Sequence, residues 1–296
     1  MATEIEMLSQ FLREQTAAAD PDASIEDRRK AYAGIGGAMP LADGVAEEPA
    51  QLGGVPGLKF TPDDAQDGAV LYFHGGGYVI GSPVSHRALT SHIAKAARRT
   101  VWSMDYRIAP ESPFPAAVDD GVEVYRALLA TGLAAKSVVI AGDSAGGGLT
   151  VATALKIRDD GLPMPAALCP ISPWVNLANE GWSYGEKADA DLMVTKDGLD
   201  GMAAAYLAGA PATAPLASPA LANLTGLPPM FVQVGAEEVL LSDSVALAER
   251  AGAAGVPVTL EIWPEMPHVF HFFHAFLTDA RTGIARLGDW IQVQTV

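Results

Sequence analysis

Short apolar runs alternate with longer amphipathic segments over most of the chain. The runs are rich in β-branched residues and predict buried strands, while the segments between them carry apolar residues at the spacing of a helix face. The predicted strands cover residues 69–73, 100–105, 138–141, 167–171, 230–234 and 258–263. The predicted helices cover residues 84–98, 116–131, 149–157, 242–254 and 269–293. Strands that alternate with helices indicate a mostly parallel sheet covered on both faces.

Two parts of the chain depart from this alternation. The apolar spacing of residues 4–19 predicts an amphipathic helix, and a second helix follows with Ser24 as its N-cap. Residues 33–56 show little periodicity and are interpreted as a connector, with a short edge strand at residues 58–60. Residues 174–219 hold helical fragments and aromatic residues without any strand pattern.

Composition and charge narrow the class of protein. The chain has 296 residues, of which 49% are hydrophobic, enough for a sizeable core. Its net charge of −16 argues against binding to nucleic acid or to anionic membranes. The N-terminus lacks the pattern of a signal peptide, and no apolar stretch approaches the ~18 residues of a membrane span, so we expect no stable membrane insertion. The single cysteine, Cys169, lies in an apolar strand and fits a reducing compartment, so we expect a cytoplasmic protein.

A Gly-x-Ser-x-Gly pattern follows the third predicted strand directly. It runs from Gly142 to Gly146 with Ser144 at its centre, and an apolar helix begins after it. A nucleophile elbow needs this strand, sharp turn and helix, and glycines on either side of the serine let the helix pack close to the strand. A chance match in a glycine-rich chain would not predict the flanking elements. Ser144 is therefore the candidate nucleophile.

A serine nucleophile needs a base, and in this fold the base follows the serine and the acid along the chain. Three of the six histidines, His74, His86 and His92, precede Ser144 and are excluded by this order. His268 lies in a loop directly after the last predicted strand, which suits a catalytic base. The other two, His271 and His274, fall inside the predicted terminal helix and are interpreted as packing or surface residues.

The orienting acid is expected in the loop after the strand at residues 230–234. Glu237, Glu238 and Asp243 all occur there. Asp243 lies at the start of the next helix, where capping or a favourable first-turn charge is the simpler role. The two glutamates point in different directions, so only one can face His268, and the spacing does not distinguish between them.

A second glycine-rich motif follows the first predicted strand. His74 precedes three consecutive glycines, which let backbone N–H groups approach a developing oxyanion without intervening side chains. A HGGG loop ahead of a nucleophile elbow is the oxyanion motif of lipases and esterases. A phosphate-binding loop is disfavoured because no Gly-Lys-Ser/Thr sequence follows.

Together these motifs resemble the hormone-sensitive lipase family of esterases. The matching segments are HGGGY at 74–78, DYRIAPE at 105–111, FPAA at 114–117, GDSAGG at 142–147 and SPW at 172–174. The resemblance implies an α/β-hydrolase fold with a central, mostly parallel sheet flanked by helices, plus a helical cap. Residues 1–45 and 174–215 would form the cap, and residues 46–173 and 216–296 the catalytic domain.

The resemblance also implies roles for single residues. Ser144, Glu238 and His268 would form the triad, since Glu238 precedes the Val239-Leu240 pair at the position where the family usually has aspartate. The oxyanion hole would consist of the N–H groups of Gly76, Gly77 and Ala145. Asp143 resembles an acid that shapes the site. The candidate substrate-binding residues are Tyr78, Asp143, Trp182 and Tyr206, and Tyr184 and Met193 are further candidates for the pocket wall.

The sequence therefore predicts a serine carboxylesterase that hydrolyses short- to medium-chain esters through an acyl-enzyme, with no metal and no cofactor. A lactone hydrolase using the same triad is the alternative. A catalytically inactive ligand-binding protein of the same fold is less favoured because all three triad residues are present. The expected partner is a small-molecule ester or lactone, not nucleic acid, and the sequence allows a homodimer.

Overall fold

One eight-stranded sheet organises the structure, a computed structural model that describes residues 2–18, 20 and 22–295. The strands are β1 (Val45–Leu52), β2 (Val55–Pro62), β3 (Ala69–Phe73), β4 (Thr100–Met104), β5 (Val138–Asp143), β6 (Ala167–Ile171), β7 (Met230–Gly235) and β8 (Val258–Trp263). The helices are α1 (Glu4–Ala18), α2 (Ile25–Gly37), α3 (Arg87–Ala97), α4 (Ala116–Ala130), α5 (Ala145–Asp159), α6 (Ser183–Glu186), α7 (Lys196–Leu207), α8 (Leu241–Ala253) and α9 (Thr278–Gln294).

The strands lie in the order β1-β2-β4-β3-β5-β6-β7-β8. β2 is antiparallel to both of its neighbours, and all other neighbouring pairs are parallel. The carboxyl ends of the parallel strands therefore meet at one edge of the sheet, where α/β proteins bind ligands. The loops after β3, β5, β7 and β8 all come to this edge. The predicted α/β fold with a mostly parallel sheet is confirmed.

Helices cover both faces of the sheet, because alternate side chains of each central strand point to opposite faces. In β3, Leu71 and Phe73 pack with residues of α4, α5 and α8. Val70 and Tyr72 of the same strand pack on the other face with residues of α3 and α9. All five residues of β3 are buried, which explains its continuous apolar sequence.

The prediction of a connector at residues 33–56 is wrong for the second half of that segment. Residues 45–62 form the β1–β2 hairpin, and the edge strand is β1 rather than the segment at 58–60, which lies within β2. β1 carries two glutamates and Pro49 and is largely exposed. Charges and proline are tolerated on an edge strand because one side of it has no partner, and they remove the apolar pattern that a buried strand shows.

The terminal helix begins later than predicted. Residues 269–277 form a short 3-10 turn, Phe270–Phe273, and loops around it, and α9 starts only at Thr278. Val269 has a left-handed backbone with φ of 46°, which interrupts any helix at that point. Glu4 accepts hydrogen bonds from the N–H and the hydroxyl of Thr278, at 2.8 and 2.9 Å. This carboxylate satisfies the new helix start.

The two N-terminal helices and residues 174–221 lie outside the sheet. The predicted first helix is observed as α1 up to Ala18, and residue 19 lies outside the described residues. The Ser24 hydroxyl caps α2 by accepting a hydrogen bond from the Asp27 N–H at 3.1 Å, as predicted. Leu8 and Leu12 pack on the segment that follows β8. No helix among the described residues is long and apolar enough to cross a membrane.

Candidate active site

The backbone of Ser144 is strained at the junction of β5 and α5. Its φ of 53° and ψ of −119° lie in a region that non-glycine residues seldom occupy. The Ser144 N–H donates to the carbonyl of Ile171 at 2.9 Å, and its carbonyl accepts from the N–H groups of Gly148 at 3.0 Å and Trp174 at 2.9 Å. These three backbone bonds hold the serine at the carboxyl edge of the sheet.

The flanking glycines are required by close packing. A Cβ on Gly142 would lie 2.4 Å from the carbonyl oxygen of Gly146, and a Cβ on Gly146 would lie 2.0 Å from the carbonyl oxygen of Phe73. Both distances are shorter than any real contact. Glycine at these positions lets α5 start directly against β3 and β5, so the sequence pattern and the strained turn have the same physical cause.

Glu238 and His268 are brought together from the loops after β7 and β8. The Nδ1 atom of His268 lies 2.7 Å from Oε2 of Glu238. The other carboxylate oxygen, Oε1, accepts hydrogen bonds from the Ser172 hydroxyl and the Gly235 N–H, both at 2.6 Å. The Ser172 hydroxyl oxygen in turn accepts from the Val269 N–H at 3.2 Å. Ser172 thus joins Glu238 to Val269, the residue that follows His268.

Burial and charge act against each other in this pair. Burial lowers the pKa of His268, but the Glu238 carboxylate beside it raises the pKa, and the net shift is upward. Burial raises the pKa of Glu238, while the His268 ring and the Ser172 hydroxyl oppose that rise. An imidazole paired in this way is oriented by the carboxylate and is stabilised when it gains a proton.

The other two candidate acids have different partners. Glu237 forms an ion pair with Lys187 at 3.1 Å. Asp243 is buried and accepts hydrogen bonds from the N–H groups of Val175 and Asn176, both at 3.0 Å, so it holds the chain after β6 rather than capping α8. Burial raises the pKa of Asp243 to about 7.

The glycine loop after β3 has the backbone that the sequence suggested. Gly76 and Gly77 have φ of 111° and 62°, values that side chains rarely allow. A Cβ on Gly77 would lie 2.0 Å from the Met202 sulfur. Both glycines line the same cavity as Ser144. Ala145 is buried as the first residue of α5, where helix N–H groups have no partner within the helix.

Asp143 lies behind the glycine loop and holds it. Its Oδ1 accepts hydrogen bonds from the Tyr72 hydroxyl at 2.7 Å and from the Gly75 N–H at 3.1 Å. Its Oδ2 lies 3.2 Å from Nε2 of His86. Burial raises the pKa of Asp143, but the His86 ring and the Tyr72 hydroxyl bring it below its ordinary value. The carboxylate therefore fixes the glycine loop after β3 to the end of β5.

Sequence reasoning missed Tyr72 and His86 in this network. The exclusion of His86 as a base from chain order agrees with its position beside Asp143. The contact between His86 and Asp143 joins residues that are far apart in sequence, and no sequence motif predicts it. Tyr72 is the one polar side chain in the strand Ala69–Phe73, and this was the available signal, since a buried hydroxyl needs a hydrogen-bond partner.

A cavity of about 200 Å³ opens beside Ser144. Ser144, His268, Asp143, Gly76 and Gly77 all line it. Met193, a predicted pocket residue, also lines it. The sequence does not predict the rest of the wall, which consists of Tyr32, Ile80, Val194, Thr195, Gly198, Leu199, Met202, Val269 and Phe272.

Three of the four predicted substrate-binding residues are not among the lining residues of this cavity. Tyr78 and Tyr206 are buried and stacked on each other, with ring centroids 3.9 Å apart. Trp182 is half exposed at the start of α6. Of that set, only Asp143 reaches the cavity. Large aromatic residues near an active site bury their area in the core as readily as in a pocket, and their spacing does not separate the two.

Of the remaining histidines, His74, His271 and His274 are buried and His92 is half-buried, and all four lie in packing positions. Burial lowers the pKa of His74 and of His271 to about 3. His74 stacks on Tyr106, and His271 bonds to the side chain of Gln233 at 2.9 Å. The ring of His274 packs against that of His92 at a tilted angle, with ring centroids 4.0 Å apart. Within residues 2–18, 20 and 22–295, no group of three or more His, Cys, Asp or Glu side chains is arranged to hold a metal ion.

Comparisons with known proteins identify the family. A family model described as alpha/beta hydrolase fold matches residues 70–272. A crystal structure of a hormone-sensitive lipase from a metagenome library is 46% identical, with a TM-score of 0.97 and 99% of each chain covered. The chain belongs to the hormone-sensitive lipase family of alpha/beta hydrolases. An esterase from the bacterial branch of this family is 44% identical, with a TM-score of 0.96 over the whole of both chains.

Two curated relatives are similar to this chain over most of their length. An acetyl-hydrolase of Streptomyces hygroscopicus is 49% identical over 231 residues, which cover 78% of this chain and 77% of the relative. An esterase of Acinetobacter venetianus is 34% identical over 246 residues, which cover 82% and 80% of the two chains.

Proposed function

We propose that this hormone-sensitive lipase family member is a serine carboxylesterase with Ser144, His268 and Glu238 as its triad. The proposal rests on one observation: Ser144, His268 and the glycine loop line the same cavity, and His268 is hydrogen-bonded to Glu238. The names of its relatives, an acetyl-hydrolase and an esterase, support hydrolysis of carboxylic esters.

The proposed reaction follows from the roles of these groups. His268 removes the hydroxyl proton of Ser144 as its oxygen attacks the ester carbonyl, and the tetrahedral oxyanion is stabilised by the N–H groups of Gly76, Gly77 and Ala145. The C–O bond then breaks, and the alcohol leaves with the proton from His268. His268 then deprotonates a water molecule, which attacks the acyl-enzyme. The bond between Ser144 and the acyl carbon breaks as His268 returns the proton to the Ser144 oxygen, which releases the acid and free Ser144.

We also propose that residues 1–45 and 174–215 act as a cap on a catalytic domain formed by residues 46–173 and 216–296. Tyr32 of α2 and a group of residues from Met193 to Met202 line the cavity, whereas the reacting groups come from the loops of the sheet. This division supports a cap that selects substrates. A cytoplasmic location and a homodimer stay predictions.

Hydrolysis of p-nitrophenyl acetate, butyrate and octanoate by the purified protein tests the proposed activity, and γ-butyrolactone tests the lactone alternative. Hydrolysis of the acyclic esters with a higher kcat/KM than the lactone supports the carboxylesterase. A higher kcat/KM for the lactone would instead favour the lactone hydrolase. Absence of activity on both classes would contradict the proposed function.

The activity is expected to fall in acid with an inflection above the ordinary histidine pKa of 6.5. His268 must be neutral to accept the Ser144 proton, and its pKa is raised by Glu238 against the effect of burial. kcat/KM should therefore rise with pH through that inflection and then level off. A profile of kcat/KM from pH 5 to 9 measures it, and an inflection below 6.5 would contradict the assignment of this pair.

A further inference from the structure

A second cavity lies directly beside the catalytic one. It has a volume of about 270 Å³ and lies between α1, α2 and the segments that carry Leu192 and Phe273. Three side chains, those of Tyr32, Met193 and Phe272, line both cavities. They form a partition between the cavity at Ser144, the first or catalytic chamber, and this second chamber.

The second chamber suits an alkyl chain. Its walls include Phe11, Leu12 and Met39, and none of the described residues that line it is charged. An apolar wall without charged groups binds ligands mainly through the hydrophobic effect. The bond from the Thr16 hydroxyl to the carbonyl of Leu192, at 3.2 Å, joins two of its walls.

The volumes of the two chambers also favour a substrate that occupies both of them. The catalytic chamber of about 200 Å³ is smaller than the ~300–1,000 Å³ of typical small-molecule sites, and the two chambers together fall within that range. The partition is movable, because Met193 is 38% exposed and its unbranched side chain can change rotamer at little cost. A substrate longer than the first chamber can therefore extend into the second.

The position of His268, the proposed base, indicates whether the alcohol part or the acyl part of the ester extends into the second chamber. In the proposed reaction His268 protonates the leaving alcohol, so the alcohol lies on its side of the carbonyl. Phe272 and Phe273 follow His268 in the same short segment and contribute to the second chamber. Gly76 and Gly77, which would hold the carbonyl oxygen, contribute only to the first chamber.

We propose that the second chamber binds the alkyl chain of the alcohol, which makes esters of medium-chain alcohols the substrate class. This rests on the proposed esterase function. Each methylene that enters the chamber should raise kcat/KM by about fourfold, the value expected for burying one methylene group. Acetate esters from ethyl to decyl measure this dependence, with p-nitrophenyl esters of acids of increasing length as the comparison series.

The matched variants are Gln15→Trp and Glu14→Trp. Both positions are exposed on α1, but Gln15 lines the second chamber and Glu14 does not. Gln15→Trp should lower the ratio of kcat/KM for octyl or decyl acetate to kcat/KM for ethyl acetate at least tenfold, whereas Glu14→Trp should keep the ratio of the unmodified protein. Met39→Trp narrows the same chamber from another element and should lower the ratio as Gln15→Trp does.

Two outcomes would overturn the chamber assignment while leaving the esterase intact. One is that Gln15→Trp and Met39→Trp hydrolyse decyl acetate as the unmodified protein does. The other is that they depress only the p-nitrophenyl series of long acids, which would place the acyl chain there instead. Failure to hydrolyse any ester, ethyl acetate included, would contradict the proposed function itself.

A separate observation concerns Asp191, a buried acid in the segment between α6 and α7. Its Oδ1 accepts hydrogen bonds from the N–H groups of Met193 at 3.0 Å and Val194 at 2.9 Å, both in the cavity wall. Its Oδ2 accepts from the Val239 N–H at 3.0 Å, directly after Glu238. One carboxylate therefore joins the cavity wall to the loop that carries the acid.

We infer that Asp191 is a positioning residue, which locks the acid loop to the cavity wall and stabilises the protonated His268 ring. Three carboxylates from different elements act on that ring, those of Glu238, Asp191 and Asp143, and each raises its pKa. This inference also rests on the proposed function, because it concerns the proposed base.

Asp191→Asn tests this role, with Glu237→Gln as its control. The control removes a charge that is paired with Lys187. We expect Asp191→Asn to shift the acid inflection of kcat/KM to lower pH, and the NMR titration of the His268 ring should shift equally, while Glu237→Gln changes neither. A loss of activity at all pH values with an unmoved titration would reduce Asp191 to a structural residue and overturn the inference. The NMR readout does not depend on ester hydrolysis.

Discussion

Ser144→Ala is expected to lower kcat for p-nitrophenyl acetate by roughly 10⁶-fold. The variant loses the oxygen that forms the acyl-enzyme, while the glycine loop and the cavity remain. The fold should persist, because the Ser144 side chain makes no capping hydrogen bond to α5, and its backbone bonds to Ile171, Gly148 and Trp174 are unaffected.

Ser137→Ala is the matched control, since this serine lies at the opposite end of β5 in the turn that precedes the strand. It should keep the kcat of the unmodified protein. A serine-directed fluorophosphonate should add one mass label to the unmodified protein and to the control, but none to Ser144→Ala. A Ser144→Ala variant within tenfold of the unmodified kcat would contradict the proposed nucleophile.

Glu238→Gln is expected to lower kcat by roughly 10⁴-fold. The amide has the size of the carboxylate, but only one of its two terminal atoms is an acceptor. It therefore cannot accept from His268 at one end and from Ser172 and Gly235 at the other, so the ring adopts the wrong tautomer or orientation. It also removes the charge that raises the pKa of His268, so the remaining activity should have its acid inflection at lower pH.

Glu237→Gln separates this effect from a general effect of losing an acid in the loop. Glu237 pairs with Lys187 instead of the base, and its variant should stay within about twofold of the unmodified kcat, as exposed ion pairs contribute little. Steady-state kinetics on p-nitrophenyl butyrate measures both. A larger loss for Glu237→Gln than for Glu238→Gln would reverse the assignment of the proposed acid.

The buried parts of the fold could be predicted because burial imposes a pattern. β3, β5 and β7 are covered on both faces, so their sequences are almost wholly apolar, with Asp143 and Gln233 as the exceptions, and the strained turn at Ser144 requires glycines that are visible as a motif. β1 has one free edge and carries charged residues, so its sequence lacks that pattern. The late start of α9 depends on Glu4, a contact between the two ends of the chain.

The choice among the acids and the pocket residues depends on side-chain direction, which spacing does not encode. Glu237 and Glu238 are adjacent, and the partners that distinguish them, Lys187 and Ser172, come from other segments. Tyr78 and Tyr206 have the residue type of a pocket wall, but they pack against each other. Short-range motifs locate the reacting groups, whereas the cavity wall is assembled from distant helices.

The origin of that wall bears on how this protein can diversify. The groups proposed to react lie on loops of the sheet, where Gly142, Gly146 and Gly77 tolerate no side chain. The walls of both chambers come largely from α1, α2 and the residues from Leu192 to Met202, none of which contributes a strand. Substitutions in those helices can alter which esters enter at little risk to folding or to the reaction chemistry. Selection for a new substrate therefore has a region of sequence to explore that is separate from the one it must conserve.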